Sequence, residues 1–182
     1  MVTAVRARPA PDCPAAACPA AERLAPEQVR ERVAAVADPE LPLITLGELG
    51  VVRQVTAGPD GTVEVTVTPT YTGCPAMDVI VTDIRAELAR CGHPDGRVRT
   101  ALAPAWTTDW ITADGRRKLA EHGISPPGSP TAPLPLRLGT GAACPHCGST
   151  ATRPQSPFGA TRCQSVLVCL GCRETFGHMK AI

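Results

Sequence analysis

Two cysteine pairs near the carboxy end, Cys144-Pro-His-Cys147 and Cys169-Leu-Gly-Cys172, have the spacing most able to do chemistry. Each CxxC knuckle turns two thiolates toward one point. Two knuckles separated by twenty-one residues offer four thiolates at the corners of a tetrahedron, the closed shell that structural zinc prefers. Gly148 and Gly171 fit the tight backbone of such turns. A module of some forty residues buries too little apolar surface to fold alone, so the metal would supply most of its folding free energy. A structural zinc is therefore the expected reading, with an iron–sulfur or redox centre as the alternative. His146, inside the first knuckle, and His178 read as spectators. Cys163 lies outside the paired pattern and is either a buried thiol or a further ligand able to exchange into the site.

A second cysteine centre is Thr70-Tyr71-Thr72-Gly73-Cys74-Pro75. Pro75 suits the first position of a helix, which would put Cys74 at the cap, where the helix dipole favours a thiolate. A thiolate is both a nucleophile and a ligand for soft metals. The competing reading is a small buried residue in a tight turn with Gly73. Asp38, in Asp38-Pro39-Glu40, either ends a helix or reaches the Cys74 loop as a second polar group. Cys13 and Cys18, in an Ala- and Pro-rich stretch, read as solvated thiols. Trp106, Asp109 and Trp110 form an aromatic and acidic cluster expected to pack into a core, with a partner surface as the alternative.

Elements that could position these groups follow from periodicity. Val29, Val33 and Val36 recur at helical spacing from Pro26 to Ala37, and Asp38-Pro39 stops that helix. Residues 49–55 and 62–68 read as strands joined by Gly58-Pro59-Asp60-Gly61, with Val63, Val65 and Val67 on the buried face. Met77, Ile80, Ile84 and Leu88 mark one stripe of a helix over 76–90 that should cover the sheet. Residues 97–102 form a third strand. Thr112 caps a last helix that ends at Gly123. The expected fold is α/β (α+β): a small three-stranded sheet packed with helices over 25–124, after a disordered tail of residues 1–24. A linker of five prolines and three glycines spans 125–141, too poor in donors to be a strand within a sheet, and the zinc ribbon follows over 142–182.

Composition bounds the function. A formal net charge of +1 gives no electrostatic reason for nucleic acid or an anionic membrane as a partner. In the ribbon the basic residues are only Arg153, Arg162, Arg173 and Lys180, with little aromatic surface on which bases could stack. No run of eighteen apolar residues exists to span a membrane, and no signal-peptide pattern is seen, so a cytoplasmic protein is expected. No Ser/His/Asp set, Walker loop or dinucleotide fingerprint is evident, so an enzyme is not expected.

Residues 38–42 (Asp-Pro-Glu-Leu-Pro), 46–52 (Leu-Gly-Glu-Leu-Gly-Val-Val) and 68–75 (Thr-Pro-Thr-Tyr-Thr-Gly-Cys-Pro) resemble the α/β domain of iron–sulfur assembly factors of the SufT type. The run from Trp106 to Thr112, Gly115 to Leu119 and Gly123 to Pro127, followed by a four-cysteine ribbon, is similar to the PaaD branch of that family. The resemblance covers residues 26–182. It implies a protein that helps the phenylacetyl-CoA oxygenase of aerobic phenylacetate degradation become active, by assembling its diiron site or the iron–sulfur cluster of its reductase. The oxygenase and reductase components would then be its partners, as accessory factor or as structural subunit. On the same ground Cys74 would be a transient ligand for iron or a cluster, supported by Asp38, Thr72 and Gly73. Ala160 stands where the resemblance leads one to expect a serine before Cys163. Neither the residues nor the resemblance fixes an oligomeric state.

Overall fold

The computed structural model describes residues 23–127 and 142–180. Cys13, Cys18 and most of the segments expected as tail and linker lie outside the described residues.

Nine residues from Pro26 to Ala34 form α1, with Pro26 in the first turn and Val29 and Val33 wholly buried. This is shorter than the expected helix to Ala37. From Val36 to Val51 the chain forms turns rather than a strand, and buries Leu41, Ile44, Leu46 and Leu49. Their amides are bonded within the turns, Leu46 N donating to Val36 O and Val51 N to Leu46 O. Strands β1 (Val52–Ala57) and β2 (Val63–Val67) follow as an antiparallel hairpin, and Val63, Val65 and Val67 are at most 1% exposed. Helix α2 (Met77–Arg90) crosses over the sheet and delivers β3 (Arg97–Thr100) parallel to β2, so the strand order is β1-β2-β3. Ile80, Ile84 and Leu88 of α2 pack onto that sheet as their spacing requires. The outward face carries Arg99, bonded to Glu64 and Thr66 on the neighbouring strand.

After a short turn at Thr108–Trp110, helix α3 (Ala113–Glu121) begins where the hydroxyl of Thr112 accepts from Gly115 N, 3.1 Å away, and ends before Gly123 at φ +75°. The order helix, strand, strand, helix, strand, helix is the one expected. The expected tail is shorter at its inner end: Leu24 packs against the core, its amide donating to Cys91 O and its carbonyl lying 2.9 Å from His93 Nε2.

The second sheet has the order β4-β7-β6-β5, built from β4 (Ile124–Ser125), β5 (Thr152–Ser156), β6 (Gln164–Cys169) and β7 (Thr175–Met179). Ser125, read as the first linker residue, is thus a strand residue, paired parallel to β7 at the edge of the ribbon sheet. A two-residue edge strand needs few donors, which is why the prolines that follow do not prevent it. Two cores result. The smaller holds Ala142, Cys144, Leu167, Cys169 and Phe176. The larger is the α/β core, and Cys163 and Met179 of the ribbon are members of it.

Glu87 of α2 is a buried charge beside this core. Arg32 Nε lies 2.7 Å from Glu87 Oε1 and Arg90 Nη1 lies 2.6 Å from Oε2, while the Glu87 side chain is only 9% exposed. Burial raises the carboxyl, but the two arginines outweigh it and hold it below its ordinary value of 4.5. A folded-state value below the unfolded one contributes stability above about pH 4.5, lost as pH falls through the folded value. Glu87→Gln should therefore cost about 1 kcal/mol at pH 7, because both arginines are more than half exposed. The gap to the wild type should narrow as pH falls below about 4.5, as read from urea midpoints across that range.

Candidate functional site

The four knuckle sulfurs converge. Cys144 Sγ and Cys172 Sγ are 3.7 Å apart, Cys147 Sγ and Cys169 Sγ are 3.6 Å apart, and all four lie within 4.8 Å of one another. Zinc–sulfur bonds of about 2.3 Å in a tetrahedron set sulfurs roughly 3.8 Å apart, close to the spacing of the two pairs, so the donor set suits this ion. Cys144 and Cys169 are buried, and Cys147 and Cys172 face outward. In the first knuckle Gly148, at φ +73°, donates its amide to Cys144 O. The equivalent bond in the second knuckle runs from Arg173 to Cys169 O, and Arg173 itself sits at φ +68°. The left-handed residue there is therefore Arg173, not Gly171, whose amide instead donates to Cys169 Sγ at 3.3 Å.

Amide donors from Cys172 and Gly171 pull the Cys169 thiol down to about 6. The amide of Glu174 acts the same way on Cys172, yet burial and the three neighbouring thiols push that group up to about 12. Four sulfurs this close do not all ionise without a cation among them.

The Cys74 loop is built differently from the expected cap. Helix α2 starts at Met77 with Ala76 at the cap position, two residues beyond Cys74. Cys74 closes a turn, its amide donating to Tyr71 O at 3.1 Å, and Gly73 within that turn has φ +81°. Burial pushes the Cys74 thiol up, and the amide of Ala76 offsets only part of this. The helix dipole therefore does not govern this thiol: desolvation wins.

Asp38 does not end α1, whose cap is Ala35 three residues earlier, but it does reach this loop. Its Oδ1 accepts from the amides of Glu40 and Leu41, at 2.9 and 2.8 Å, and the residue is 6% exposed. Burial raises its carboxyl despite those two bonds. Asp38, Glu40 and Cys74 line one small cavity of about 10 Å³, and Thr70 and Cys163 complete its polar lining.

Of the two readings of Cys163, its position matches the buried thiol. Cys163 is 8% exposed, packs in the α/β core and does not belong to the four-sulfur cluster. Its sulfur lies 2.9 Å from the Thr161 hydroxyl, so Thr161 provides a polar partner beside the position where Ala160 lacks one. Thr72 is not brought to the Cys74 cavity either. It lines a neighbouring cleft of about 160 Å³ with Thr70, Tyr71, Leu102 and Trp106. Gly73 contributes turn geometry and lines neither. Trp106 is a core residue whose Nε1 donates to Leu49 O at 3.0 Å, and the Arg53 guanidinium stacks 3.3 Å from the Trp110 ring centre. His146 is exposed, and His178 is hydrogen-bonded to Ser165. Sequence reasoning missed the meeting of Cys163 with Cys74 and Asp38, and no local signal could have shown it.

Residues 26–102 match the model of the iron–sulfur cluster assembly protein family, and residues 130–180 match that of the PaaD zinc beta ribbon domain. The molecule is thus an assembly-type α/β domain joined to a zinc ribbon. Over 164 residues it is 42% identical to an Escherichia coli protein named as one of the subunits of 1,2-phenylacetyl-CoA epoxidase, covering 87% of this chain and 96% of that one. The chain belongs to that protein's family. It is also 31% identical to an Fe-S protein maturation auxiliary factor of Porphyromonas gingivalis, covering 51% of this chain and 89% of the relative. A third relative, the Fe-S protein maturation auxiliary factor YitW of Bacillus subtilis, is 33% identical over 46% of this chain and 81% of its own length. Among the described residues, no helix is long and apolar enough to cross a membrane.

Proposed function

We propose that the chain is an accessory maturation protein of the multicomponent phenylacetyl-CoA epoxidase, assisting assembly of that system's iron–sulfur or diiron centres. The observation that carries this reading is the small cavity lined by both Cys74 and Asp38, on a domain of the iron–sulfur assembly family. Cys74 is the residue that takes the iron or cluster as cargo, and Asp38 positions the loop and offers it a carboxylate. Zinc held by Cys144, Cys147, Cys169 and Cys172 supplies a structural cross-link and takes no part in the transfer. The direct partners are the oxygenase and reductase components, and the site of action is the cytoplasm.

Co-expression of the epoxidase components with Cys74→Ala tests the reading. The variant should keep its zinc, while epoxidase iron content and epoxidation fall to the level seen without the protein. Full iron loading and activity would remove Cys74 from the mechanism. The name of the E. coli relative favours a second reading, that of a structural component of the complex. Fixed stoichiometry through gel filtration would support it, whereas activation by substoichiometric amounts supports the maturation role.

A further inference from the structure

Charge is divided unevenly along the chain. Residues 142–182 carry four basic side chains against one acid, Glu174, whereas residues 26–127 carry ten against fourteen. The ion pairs among the described residues all lie in the α/β domain, so Arg153, Arg162, Arg173 and Lys180 meet no carboxylate there or in the ribbon. Alternation sends Met179 of β7 into the α/β core and its neighbours His178 and Lys180 to the other face of the ribbon sheet. On that face Pro154, Pro157, Phe158, Leu167, His178 and Lys180 line a groove of about 500 Å³ whose walls include no acidic side chain. Phe158 is 67% exposed, yet its turn is fixed: Ser156 Oγ donates to Phe158 O at 2.7 Å and accepts from Phe158 N at 3.2 Å. Lys180 Nζ is held beside it, 2.8 Å from Arg162 O and 4.9 Å from the Phe158 ring centre. An exposed aromatic ring on an ordered turn, next to an ammonium without a counter-charge, has the make-up of a binding anchor.

We infer that this groove docks an acidic segment of a partner protein, with one apolar side chain packed on Phe158 and Leu167 and a neighbouring carboxylate on Lys180. The inference deepens the proposed function and rests on it for the identity of the partner, an oxygenase or reductase component, but not for the chemistry of the surface. Charge selects the occupant. The ribbon's one acid, Glu174, precedes β7 and so lies at the far end of that strand from Lys180, which leaves the groove end basic. A second copy paired two-fold through the same face would set lysine against lysine. The mode of contact follows from β5, the rim strand of the sheet: Pro154 removes a backbone donor from it, so the partner is held by side chains on the face rather than as an added strand. The ribbon thus serves as the handle by which the client is held, while its opposite face is spent on the α/β core.

Calorimetry of the full, zinc-loaded chain with the purified oxygenase and reductase components, at low and high salt, tests the surface. One component should bind, with an affinity that falls as salt rises. Phe158→Ala should weaken that binding about tenfold or more. Lys180→Met keeps an apolar stem on the ring, and should weaken binding and flatten its salt dependence. Both variants should keep their zinc and the wild-type thermal midpoint, since neither side chain is buried. Binding by neither component, wild-type affinity in Phe158→Ala, or an undiminished salt dependence in Lys180→Met overturns the docking surface. So does a self-association in gel filtration that Phe158→Ala abolishes, which would make the occupant a second copy. The two readings fail separately: full epoxidase loading with Cys74→Ala overturns the maturation role whatever the groove binds, and an unchanged affinity in Phe158→Ala overturns the docking surface whatever Cys74→Ala does.

Discussion

Cys169→Ser should retain no zinc, and its ribbon should unfold at room temperature. Cys169 is wholly buried, and its backbone exchanges hydrogen bonds with Glu174 and Arg173, which close the second knuckle. Around it the ribbon's own core offers little more than Ala142, Leu167 and Phe176. Structural zinc contributes about 10–16 kcal/mol to small modules of this kind, far more than three apolar side chains supply. The loss should travel further, because Met179 is 1% exposed within the α/β core, and burying such a side chain contributes roughly 1.5–3 kcal/mol. The urea midpoint of the α/β domain should therefore fall together with zinc content. A zinc-free variant whose ribbon still resists protease, or whose α/β midpoint stays put, would refute this coupling.

Gly50→Ala should cost about 2–5 kcal/mol, the sum of two penalties that fall on one residue. Gly50 has φ +76°, where a β-carbon is strained, and that β-carbon would lie 2.6 Å from both Cβ and the carbonyl oxygen of Trp110. Backbone cannot swing aside as the end of a lysine can. To make room, the 108–110 turn must move, which disturbs the bond from Trp106 Nε1 to Leu49 O and the stacking of Arg53 on Trp110. These are the chain's two tryptophans, so the change should appear in fluorescence as well as in the thermal midpoint. A variant with an unchanged spectrum and midpoint would show that the turn is free to relax.

Local signals served well wherever a residue's role is set by its near neighbours. Alternation placed Val63, Val65 and Val67 inward, the 3.6 period placed Ile80, Ile84 and Leu88, and CxxC spacing brought four sulfurs together. Periodicity states which face is buried but not against what. The turns from Val36 to Val51 carry buried Leu41, Ile44 and Leu46 without any period, and of the expected first strand over 49–55 only residues 52–55 lie in β1. Cys74 read as a cap because Pro75 suits a helix start, yet the helix begins two residues later. Cys163 looked like a ribbon thiol because it is close to Cys169 in sequence. Its position is decided instead by how β6 and β7 lie on the α/β core, a long-range contact that no local pattern encodes.

Arg99, laid across Glu64 and Thr66, bears on how the molecule meets its own copies. Strand β3 is the parallel rim of the three-stranded sheet, and Arg97 and Arg99 alternate along it. A strand from another molecule that tried to extend the sheet there would have to strip water from two guanidinium groups and set its own side chains beside them. The chain thereby guards an open row of amides and carbonyls against fibrillar stacking at no expense to the apolar face beneath.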